Sequence, residues 1–142
     1  MAIWQVAMHF VHKNDLCFND PVLQETLSDF TQMFPEEKSW SETIRQYGNL
    51  DSTCMEISID DYGYVDSVHA RIDLRKVLPH QLELICDFAK RNGFLIEYRK
   101  YCEPSYAALI EILKSSPAHR FLKDPAEYLE RAKKGELERQ AL

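Results

Sequence analysis

The side chains best suited to moving a proton fall on two neighbouring stretches. Residues 65–75 alternate so that His69, Arg71, Asp73 and Arg75 share the outward side of a strand, and residues 53–60 add Glu56 and Ser58 to that side. Gln5 and His9 reach it from a third stretch, residues 3–11. An imidazole with a free pKa near 6.5 beside a carboxylate can serve as a general base. Glu56, His69, Arg71 and Asp73 therefore form one candidate site, for a small ligand or a reaction. The same residues also suit the cross-strand charge pairs of an open sheet face. The structural reading is the stronger, because no nucleophile, base and orienting acid stand at a diagnostic spacing. No residue is assigned a catalytic role.

The second chemical candidate is "DDYGYVD", residues 60–66. A calcium loop alternates its oxygen ligands and ends on a glutamate at position twelve. Here Asp60 and Asp61 are adjacent and Tyr62 takes the third position, so the pattern breaks. Cys17, Cys54, Cys86 and Cys102 are widely spaced, with no C-x-x-C pair, which argues against structural zinc. The chain has four glycines, and phosphate-cradling loops, the G-x-S-x-G elbow and H-E-x-x-H are all missing. The expectation is a protein without metal or cofactor, with a non-enzymatic role placed ahead of an enzymatic one.

Charge narrows the partners. The 142 residues carry a net charge of -6, and residues 1–80 hold 6 basic against 13 acidic side chains, a balance of -7. An acidic half lacks the basic footprint of a nucleic-acid binder and suits a basic protein partner. No apolar run approaches the ~20 residues of a membrane span. The first residues, "MAIWQVAMHFVHKND", lack the pattern of an export signal, so reduced thiols and a cytoplasmic location are expected.

The elements that position these residues follow from periodicity. Residues 3–11 read as a strand with Trp4, Val6, Met8 and Phe10 on one face. Asp20-Pro21 opens a helix with Leu23, Leu27, Phe30 and Phe34 as its stripe, and Pro35 ends it. Residues 36–52 read as a connector with one helical turn capped by Ser41, its Trp40, Ile44 and Tyr47 tucked onto the core. Strands at 53–60 and 65–75 turn at Gly63, a helix runs from Pro79 to Gly93, and residues 94–101 make a fourth strand. That order predicts an α+β, ferredoxin-like βαββαβ fold: four antiparallel strands in order 4-1-3-2, helices on one face. Residues 1–101 form this core, 102–135 a helical extension and 136–142 a frayed tail, all within a single domain. Tyr98, Tyr101 and Tyr106 are expected to seal the core.

In that topology the hairpin tip meets the loop 12–20. Asp15, Asp60, Asp61 and Asp66 would gather there with Tyr62, Tyr64 and Phe18, and Arg91 could offset part of the charge. Carboxylates with exposed aromatics suit an interface, since tyrosine is enriched among hot spots. The partner-binding set is thus Asp15, Asp60, Asp61, Tyr62, Tyr64 and Asp66.

The segments "SW", "YGNLDSTCMEISI", "VHARIDLR" and "SSPAHRFLKDPAEYL", over about residues 39–130, resemble small acidic bacterial proteins of the immunity type. Those accompany toxins of contact-dependent and other polymorphic toxin systems. The resemblance implies a protein that neutralises a cognate toxin by binding it, and it carries over no functional residues. A ligand-binding or enzymatic sheet face, and a regulatory module that dimerises through that face, are the alternatives.

Overall fold

The computed structural model describes residues 1–12 and 16–133. Its strands are β1 (Gln5–His12), β2 (Glu36–Glu37), β3 (Ile44–Tyr47), β4 (Cys54–Ile59), β5 (Val65–Asp73), β6 (Phe94–Tyr98) and β7 (Lys100–Cys102). Its helices are α1 (Pro21–Thr31), α2 (Pro79–Arg91), α3 (Tyr106–Ser115), α4 (Pro117–Lys123) and α5 (Pro125–Lys133). Among the described residues the strands make one antiparallel sheet in the order β2-β3-β4-β5-β1-β6-β7.

The α+β class holds, but the sheet has seven strands and is not the four-stranded ferredoxin-like one. The four expected strands are its centre, in the expected order of neighbours, as β6-β1-β5-β4. Three short strands widen it. The segment read as a helical turn after Ser41 instead pairs as β3 against β4, Ile44 opposite Ser58 and Tyr47 opposite Met55. Gly48, at φ +86°, then turns the chain while its N–H donates to the carbonyl of Pro35. At the other margin Arg99, at φ +62°, reverses β6 into β7 without a glycine to announce it.

Period-two alternation sends Val6, Met8, Phe10, Met55, Ile57, Val68, Ala70, Ile72 and Ile96 to one face, all buried. Helix α1 starts where Asp20 Oδ1 accepts from the N–H groups of Val22 (2.9 Å) and Leu23 (3.3 Å). It lays Leu23, Leu27 and Phe30 on the apolar face of the sheet, and α2 adds Leu82, Ile85, Phe88 and Ala89. The Phe88 ring sits 5.0 Å from Phe30, 5.6 Å from Phe94 and 6.4 Å from Phe10, tying both helices to the sheet. Leu109, Ile112 and Leu113 of α3 and Ala118 of α4 belong to the same apolar cluster. The C-terminal helices therefore build the core as well as extend it.

Three aromatic placements differ from expectation. Tyr47 is buried, but Trp40 points into solvent, and Tyr101 and Tyr106 are exposed as well. The expected end of the helical extension at residue 135 and the tail 136–142 lie outside the described residues.

Candidate functional site

The hairpin end is built around one carboxylate. Asp60 Oδ1 accepts from the N–H groups of Tyr62 and Tyr64, both at 2.9 Å, and Gly63 sits at φ +83° between them. These bonds fix the turn, so Asp60 is a structural residue as well as a charge. The loop after β1 docks alongside: Phe18 N–H donates to Gly63 O, Val65 N–H donates to Leu16 O, and Cys17 bridges to Tyr64. On the opposite flank Ile59 N–H donates to Thr43 O, which brings the loop 38–43 to the same end.

From this scaffold Tyr62 projects 87% exposed and Trp40 75% exposed, with Tyr64 about half in solvent. Asp61 and Asp66 are exposed on the same hairpin as the two tyrosines. The expected gathering of the two loops is present, and Asp15 lies outside the described residues. Arg91 does not join it: its guanidinium is held between α1 and α2 by Glu25 (3.0 Å), Asp29 (3.3 Å) and Asp87 (3.7 Å). Trp40, expected on the core, stands instead in solvent on the loop 38–43 at this end. Its flanking serines and Glu42, with no apolar periodicity, were the available signal.

The open face of the sheet carries a second arrangement. Register places Glu37, Gln46, Glu56, His69, His9, Glu97 and Tyr101 directly opposite one another, one on each strand from margin to margin. Gln46 Nε2 donates to Gly48 O at 3.0 Å. The Glu56 side chain is only 4% exposed, with His69 Nε2 3.4 Å and an Arg71 nitrogen 3.7 Å from its Oε1. The His9 and His69 rings are 5.7 Å apart. Burial lowers the His69 pKa; Glu56 pulls it back up, while Arg71 and His9 push it further down.

Of the four residues proposed for this face, Glu56, His69 and Arg71 meet and Asp73 does not. Asp73 is clamped by Arg75, with contacts of 2.8–3.2 Å to both carboxylate oxygens, and its N–H donates to Thr53 Oγ1. Arg75 in turn lies 3.9 Å above the Trp4 ring. Burial would raise the Asp73 carboxyl, but the bonds from Arg75 outweigh it and hold it below the usual range.

No protein-family model, curated protein or solved structure matches the chain. Its chemistry must be judged from the residues present. Cys54 stands opposite Arg71 and could suggest a nucleophile, but burial pushes its thiol up to about 11, which keeps it protonated at neutral pH. Among the described residues no hydroxyl or thiol hydrogen-bonds to His9 or His69, and no group of three metal-ligating side chains assembles. Among them, too, no helix is long and apolar enough to cross a membrane. The polar row can orient protons and accept hydrogen bonds, and among the described residues no nucleophile is hydrogen-bonded to its imidazoles.

Proposed function

We propose that this chain is a non-enzymatic binding protein that captures a basic protein through the hairpin end. In the role that its resemblance implies, the partner is a cognate bacterial toxin neutralised by direct contact. One observation carries the reading. Tyr62 stands in solvent on a turn fixed by the Asp60 carboxylate, on the same hairpin as the exposed Asp61 and Asp66, and Trp40 stands in solvent on the loop that the Ile59–Thr43 bond brings to this end. Aromatic anchors carried on a backbone already held in place spare the loop-ordering cost of docking, and the acidic surround steers a cationic partner. The -7 balance of residues 1–80 gives the same sign at longer range.

The test begins with the product of the adjacent gene, purified and titrated against this protein. Tyr62→Ala and Trp40→Ala are expected to speed dissociation, each costing about 2 kcal/mol or more if the ring is a buried anchor. Asp61→Lys with Asp66→Lys should slow association and flatten its dependence on salt. Asp60 is left unchanged because it holds the turn. If these folded variants keep wild-type affinity, the hairpin end is not the binding surface. If the neighbouring product does not bind at all, the toxin-neutralising role is overturned.

A further inference from the structure

At the opposite end of the sheet, where β5 runs out, the connection to α2 faces α3 and α4 across a cleft of about 440 Å³. That volume lies within the range of small-molecule sites, roughly 300–1,000 Å³. Buried Leu113 and half-buried Leu74 and Ile110 form its floor, and Val77 and Leu122 leave apolar surface in water at its mouth. Two cations flank the opening. Lys114 is in the last turn of α3, and Lys123 is in the last turn of α4.

Each lysine alone is explained by its helix, since a cation near a C-terminus complements the carbonyl dipoles. That explanation does not account for two separate helices delivering their terminal cations to one apolar depression. Nor does either lysine pair with a carboxylate among the described residues, although the chain carries 23 acidic side chains. An apolar floor with uncompensated positive charge at the lip selects a molecule of the complementary kind.

We propose that this cleft binds a small anionic amphiphile, its alkyl chain against Leu74, Ile110 and Leu113 and its acid group at Lys114 and Lys123. The site is independent of the hairpin end and uses none of its residues. A carboxylate at the mouth accepts from the two ammonium groups, and each methylene placed on the floor leaves water.

Calorimetric titration with decanoate and octanoate tests this directly. Decanoate should bind saturably with one molecule per chain. Octanoate, two methylenes shorter, should bind about fifteenfold more weakly, because each buried methylene is worth roughly a fourfold change in affinity. Lys114→Glu with Lys123→Glu should weaken decanoate at least tenfold, while an unchanged melting temperature shows that the variant is folded. If that variant does not fold, the single change Lys123→Gln must still weaken binding, and chemical-shift changes on decanoate must centre on the Leu113 and Leu122 methyls. Octyltrimethylammonium is the control of opposite charge. Equal affinity for it and for octanoate, non-saturating uptake, or shifts centred away from the cleft would overturn the proposal.

Discussion

His69 holds its Nε2 3.4 Å from Glu56 Oε1 while a second imidazole, that of His9, stands 5.7 Å away ring to ring. Burial is the main reason the His69 pKa is lowered, and Arg71 and His9 add to it against Glu56. The unfolded chain therefore takes up this proton at a higher pH than the folded one. Stability tied to the neutral ring is present above about pH 6.5 and is lost as pH falls through the folded value. Melting temperature should drop between pH 7 and pH 5.5, and His69→Gln should make that drop shallower. An equal pH slope in wild type and variant would show that His69 is not the group responsible.

Two glycines with similar backbones should differ sharply. Gly48 and Gly63 have φ of +86° and +83°, so alanine at either position is strained by about 1 kcal/mol. At Gly63 a Cβ would meet nothing within 4 Å, whereas at Gly48 it would lie 2.7 Å from the carbonyl oxygen of Thr53. Chemical denaturation should find Gly48→Ala clearly the more destabilising, since the β3–β4 turn must shift to admit it.

The hairpin carboxylates also separate by role. Asp60→Ala removes the acceptor for two N–H groups and should cost about 1 kcal/mol, the typical net worth of such bonds. Asp61→Ala should stay within about 0.5 kcal/mol, as surface changes usually do. Urea titration of the two variants compares them, and equal losses would contradict the turn geometry.

Thiol chemistry gives a separate check. Burial raises the Cys54 thiol to about 11, and it also raises Cys86 and Cys102. In native protein at pH 7.5, Cys54 should resist iodoacetamide, and in urea it should be modified readily. Rapid native labelling of Cys54, read by peptide mass, would show that the β4 face opens in solution.

Much of the fold was legible because its signals are local. Asp20-Pro21 announces α1, Gly63 announces the hairpin, and alternation from Ser67 to Asp73 announces β5. Strand β3 was hidden because its sequence, IRQY, does not alternate apolar and polar residues. Gln46 is buried on the polar row, where a side chain is held by hydrogen bonds and not by hydrophobicity. Strand β7 was hidden because Arg99 makes its turn in a conformation usually left to glycine. The members of the polar row were visible one by one, but their alignment depends on register across seven strands, which no local pattern carries. Arg91 was misplaced for a related reason: a long cation near several acids can be matched to its partners only once α1 and α2 are side by side.

The margins of the sheet bear on how the protein behaves when concentrated. An open β-edge can recruit a neighbouring chain, and repeated recruitment builds fibres. Here one margin is the two-residue strand Glu36–Glu37, whose adjacent like charges repel an identical edge, with Glu36 also tied to Arg45. The other is only three residues long, opens on Lys100, and is bounded by the reversal at Arg99 and by Pro104, which has no N–H to donate. Widening the sheet from four strands to seven thus replaces the longer edges of β4 and β6 with two short, charged ones, and this resists edge-to-edge polymerisation.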